Sequence, residues 1–125
     1  MQESNFGLLK GRTIKEIGGA NAGSERITFV CEDGGEFSMY HEQDCCEDVS
    51  VEDVVGDVND LIGSPILIAE ERTSEENPQD ITKDWQESFT WTFYELATNK
   101  GSATLRWYGV SNGYYSESVS FYQTK

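Results

Sequence analysis

A chain of 125 residues with 23 Asp and Glu against 9 Lys and Arg, formally −14, is long enough for one core and too short for two. Charge of that sign excludes binding to nucleic acid through its phosphates, which is carried by Lys and Arg, and favours basic partners. Between Arg26 and Arg72 there is no Lys or Arg at all, while thirteen Asp and Glu fall there.

The opening Met1-Gln-Glu-Ser-Asn has no basic-then-apolar leader, and the longest apolar run, residues 65–69, is far too short to span a bilayer. Both predict a soluble protein of the cytoplasm, with residues 1–7 as a flexible N-terminus. Cys31 and the adjacent Cys45 and Cys46 are an odd count without an export signal, so reduced thiols are expected.

Residues 8–18 alternate from Arg12 onward and predict a first strand, closed by a Gly-Gly-Ala-Asn-Ala-Gly loop. Residues 25–31 form a second, with Ile27, Phe29 and Cys31 on one face; 32–35 make a turn, and 36–41 return as a third. These three are expected to form a meander. Ser50 then reads as a helix N-cap, with Glu52 and Asp53 in the first turn. Val51, Val54, Val55, Val58 and Leu61 or Ile62 recur at helical spacing before Gly63-Ser64-Pro65 supplies the stop. Gly56 inside that helix costs about 1 kcal/mol relative to Ala, which implies a close approach to the turn.

Residues 65–71 predict a short buried strand, and 72–84 a long polar loop. Residues 86–98, 102–110 and 114–123 are rich in Thr, Tyr, Phe, Trp and Val and are separated by Asn-Lys-Gly and Ser-Asn-Gly, the marks of hairpins. The order β-β-β-α-β-β-β-β predicts a single α+β domain over residues 1–125. Its antiparallel sheet, mixed or strongly bent, has about seven strands with one main helix packed on it.

Register sets which side chains meet, because a slip of one residue flips every side chain. Three-residue loops at both late turns place Phe93 opposite Trp107, Leu105 opposite Val119 and Ala103 opposite Phe121, one coherent apolar face. The opposite face then gathers Tyr94, Arg106, Tyr108, Tyr114, Ser116 and Ser118, with Asn112 in the turn beside them. Rings stack on bases, a lone Arg pairs with one phosphate, and hydroxyls bond a sugar, so this set suits one small nucleotide and not a polymer.

A second constellation is acidic. Asp53, Asp57 and Asp60 stand at helical i, i+4 and i+7, and Glu42, Asp44, Glu47 and Asp48 extend the ridge. Residues four apart rise about 6 Å along a helix, so such a ridge imitates a phosphate backbone to a DNA-binding protein. His41, Asp44, Cys45, Cys46 and Glu47 have metal-ligand residue types, but adjacent cysteines seldom aim at one ion, and no metal is expected. Asp57-Val-Asn-Asp60 lacks the Gly and the closing Glu of a calcium loop. A single histidine leaves no Ser-His-Asp set, so neither catalysis nor a cofactor is expected.

Asp44-Cys-Cys-Glu, Asp60-Leu-Ile-Gly-Ser-Pro-Ile, Trp91-Thr-Phe-Tyr94 and Arg106-Trp-Tyr-Gly-Val-Ser-Asn-Gly-Tyr-Tyr-Ser-Glu117 together resemble a family of small bacteriophage proteins known as a domain of unknown function. The resemblance covers residues 8–122 and implies a phage-encoded accessory protein in the cytoplasm of the bacterial host. The leading expectation is a non-enzymatic counter-defence protein that sequesters a small nucleotide-derived immune signal, as a homodimer or larger homo-oligomer. The alternative is an acidic nucleic-acid mimic that inhibits a basic host nuclease or a CRISPR or restriction effector. A third reading is a structural or assembly component of the virion.

Overall fold

Alternating β-branched and aromatic residues put most regular segments of this chain into strands. The computed structural model describes residues 5–42, 47–74, 88–111 and 117–124. Among these residues the fold is two four-stranded antiparallel sheets, and the helical elements are two short 3-10 turns, Phe6–Leu9 and Val58–Leu61. The first sheet holds β1 (Ile14–Gly18), β2 (Arg26–Cys31), β3 (Glu36–Tyr40) and β8 (Ser120–Gln123), side by side in that order. In the second, β4 (Asp48–Gly56) lies at one edge and β5 (Ile68–Ser74) at the other, with β7 (Gly101–Ser111) next to β4 and β6 (Ser88–Thr98) next to β5.

The α+β expectation is therefore overturned: the fold is all-β, and the segment read as the main helix is strand β4 followed by a 3-10 turn. The cause of the misreading is a bulge. Val51 pairs with Trp107 and Val54 with Leu105, so three residues on β4 span two on β7. One extra residue turns the strand spacing of two into three, which imitates a helical stripe. Val49 and Val51 point into the core, while Val55 is 53% exposed, as no helix packed by its valines would leave it. Gly56 ends the strand at φ +99°, where an added Cβ would strike the Ser102 carbonyl, the close approach its position implied.

The first three strands do form the expected meander, with Phe29 opposite Phe37 and Ile27 opposite Met39. The last three strands depart from expectation. β6 and β7 join through a two-residue loop, Thr98 facing Gly101, so Phe93 pairs with Arg106 and Tyr94 with Leu105. β8 leaves this sheet and pairs with β3, placing Phe121 opposite Met39.

That register gives the second sheet apolar residues on both faces. Tyr94, Leu96, Leu105 and Trp107 turn inward to a core shared with Ile27, Phe29, Phe37, Met39 and Phe121 of the first sheet. Phe6 bridges the two, its ring centroid 4.7 Å from Tyr94 and 5.3 Å from Phe121. Burying each such side chain is worth about 2 kcal/mol. Trp91, Tyr108 and Val110 form a separate buried cluster with Phe89 and Phe93 packed against it. The β4 edge is partly closed by the loop after β1: Gly23 N–H donates to Val51 O and Val51 N–H to Ser24 O.

Candidate functional site

The predicted tyrosine and arginine set is split by the β6–β7 register. Arg106 and Tyr108 alternate along β7 onto the face that carries Trp91 and Phe93, whereas Tyr94 points the other way. Tyr94 is fully buried, and its hydroxyl donates to the Val119 carbonyl at 3.4 Å. Tyr108 is buried with its ring centroid 4.7 Å from Trp91. Asn112, Tyr114 and Ser116 lie outside the described residues. Ser118 is exposed, in the segment leading into β8.

Arg106 is held rather than offered. Its Nε lies 2.8 Å from Asp53 Oδ1, its guanidinium carbon sits 5.1 Å from the Trp91 ring centre, and its side chain is 17% exposed. Asp53 reaches it because the bulge returns β4 to phase opposite Arg106. The same row continues to Phe93 and Arg72 on β5, and Arg72 is paired in turn with Glu95 at 3.7 Å.

The predicted acidic ridge is also rearranged, because a strand and a turn do not repeat every 3.6 residues. Asp48 and Asp57 are exposed, Asp53 carries the ion pair, and Asp60 is half-buried. Asp57 caps the 3-10 turn, accepting from Asn59 N–H at 2.9 Å, and the Asp60 carbonyl accepts from the Thr98 hydroxyl. Glu42 is exposed and accepts from the Tyr122 hydroxyl; that bond to a carboxylate holds the phenol above its ordinary pKa. Asp44, with Cys45 and Cys46, lies outside the described residues.

Glu47 does not belong to the surface at all. Its side chain is sealed, and Oε2 lies 3.1 Å from Nε2 of His41, itself 4% exposed. His41 Nδ1 is 2.6 Å from the Ser118 carbonyl, which only accepts, so Nδ1 carries a proton and donates. This pair joins the end of β3, the start of β4 and the approach to β8. Beside it Glu25, Arg26, Tyr40, His41 and Val49 line a hollow of about 390 Å3, with the Arg26 guanidinium 4.7 Å from the Tyr40 ring centre.

A second hollow, about 350 Å3, opens where Glu71 and Thr73 of β5, Thr90 and Thr92 of β6, and Glu117, Ser118 and Val119 meet. Glu117 is buried; its Oε1 accepts from the Thr90 hydroxyl at 2.7 Å and its Oε2 from the Ser111 hydroxyl at 2.5 Å. Glu117 stands outside the residues that the sequence pattern singles out for a site. The available signal was a lone acid inside the hydroxyl-rich run Ser116-Glu-Ser-Val-Ser120, with Thr90 and Thr92 two apart on a strand.

Residues 7–121 match one domain family. The chain belongs to DUF7448, a domain of unknown function. No curated protein and no solved structure proved similar to it. The DUF7448 domain thus spans both sheets, from the first 3-10 turn to Phe121 in β8.

Proposed function

We propose that this DUF7448 protein is a binding module whose acidic surface docks on a basic, nucleic-acid-handling protein and inhibits it. One observation carries the reading: exposed acids along the edge strand β4 have no cation beside them among the described residues, while three of the chain's arginines are already paired within it. Arg12 pairs with Asp33, Arg72 with Glu95 and Arg106 with Asp53. Asp48, Glu52 and Asp57, on and just after the edge strand β4, are exposed and have no cation paired with them among the described residues. The setting we propose, a phage-encoded inhibitor of a bacterial defence nuclease acting in the host cytoplasm, draws its support from the resemblance alone.

Sequestering a nucleotide signal is less well supported by this geometry. It needed Tyr94 beside an uncommitted Arg106, and Tyr94 faces the core while Arg106 lies against Asp53.

Purified protein titrated into DNA-cleavage reactions of host nucleases and restriction enzymes tests the docking reading. Inhibition of at least one enzyme is expected, relieved by added duplex DNA and weakened steeply by salt. Neutralising Asp48, Glu52 and Asp57 together should reduce affinity by at least about tenfold, through loss of charge steering and pairing. Inhibition indifferent to both salt and these substitutions would sink it.

A further inference from the structure

We propose that the hollow between β5, β6 and Glu117–Val119 is a binding site for one organic cation, an ammonium or guanidinium group presented on a basic side chain of the partner. It extends the docking reading above to a single contact, and it begins with a buried carboxylate. Glu117 is 7% exposed, and each of its oxygens accepts one bond from a neutral hydroxyl. Among the described residues no Lys, Arg or His forms an ion pair with it.

A carboxylate taken from water loses strong solvation, and two hydroxyl bonds offset only part of that, so a cation brought alongside has much to gain. Glu117 is held there by design of the backbone. Gly109 of β7 lies beneath it, and a Cβ on that glycine would come within 3.0 Å of the Glu117 Cβ and 3.1 Å of its carbonyl oxygen. A side chain at 109 would also meet Val49 Cγ2 at 3.0 Å, so Glu117 or Val49 would have to give way by a few tenths of an ångström.

The lining matches one ligand chemistry. Carboxylates are acceptors only, and Glu71 adds a second, exposed carboxylate. Thr73 and Thr92 are directly opposed across β5 and β6, and Thr90 follows on the same face, so three threonines share the hollow with Ser118. Val119 supplies an apolar wall for the alkyl stem that a Lys or Arg carries behind its charge. A volume of about 350 Å3 admits such a side chain and greatly exceeds the space a bare metal ion fills. Calcium or magnesium also requires about six oxygen ligands in a tight shell, and this wall is partly hydrocarbon.

Threonine-methyl NMR of the whole protein reads the site directly. Agmatine, a blocked Gly-Arg-Gly peptide, calcium, and neutral butylurea are each titrated. Saturable shifts at Thr73, Thr90 and Thr92 are expected with the two guanidinium probes, and tighter with the peptide; tighter binding of agmatine would overturn a protein side chain as the occupant. Glu117→Gln should weaken the binding by about tenfold, the usual worth of a charge-assisted bond. Glu71→Gln, at a surface position that cannot disturb the core, should weaken it by a smaller factor. Absence of saturable shifts, equal shifts with butylurea, a response to calcium alone, or unchanged affinity in both variants would each overturn the site. Because no partner enters this experiment, its failure is separate from a failure of nuclease inhibition.

Discussion

His41, the single histidine of the chain, has a ring that contacts two elements at once. Nδ1 reaches the Ser118 carbonyl and Nε2 faces the sealed carboxylate of Glu47. Removing one member of a buried pair takes away part of the other's compensation, which costs more than the pair itself contributes. His41→Phe should therefore lower stability in urea unfolding by about 3 kcal/mol, and adding Glu47→Leu should restore part of the loss. Additive losses in the two variants would show that the residues are not coupled. From sequence these two residues read as a weak metal constellation and a surface acid. The types were legible, but residue type does not say whether a carboxylate lies inside or outside.

At the scale of the element, β4 decides the most. Its bulge puts Asp53 opposite Arg106, and Gly56 closes the strand against the backbone of the β6–β7 hairpin. Gly56 and Gly11 both adopt positive φ, +99° and +88°, but only at Gly56 does an added Cβ meet backbone atoms; around Gly11 there is open space. Gly11→Ala should cost about 1 kcal/mol from backbone strain alone, and Gly56→Ala about 3 kcal/mol because the Ser102 carbonyl must also move. Equal midpoints in denaturant would contradict the close contact. The glycine was visible in the sequence with the right consequence attached to the wrong element, since one bulge makes a strand resemble a helix in its spacing of valines.

Across the whole molecule, both sheets contribute to one interior, and Cys31 reports on it. Burial, and after it the neighbouring Asp33 carboxylate, raise the thiol above its ordinary value of 9.0. A group whose folded pKa is raised contributes stability that is complete below the unfolded value and is lost as pH climbs through the folded one. Stability should thus fall as pH rises beyond 9.0. Cys31→Ser should flatten part of that decline, and a slope unchanged by the substitution would show that another group governs it. Residue types and their order along the chain by themselves determined the sign of the net charge and the short, alternating runs that make β1, β2, β3, β6 and β7, because both depend only on residue type and near neighbours. Tertiary structure alone decided which face of β6 and β7 is interior and that β8 joins β3. With aromatics on both sides of a strand, periodicity cannot choose a face; the choice falls to whichever sheet packs against it, and that sheet is built from residues far away in the chain.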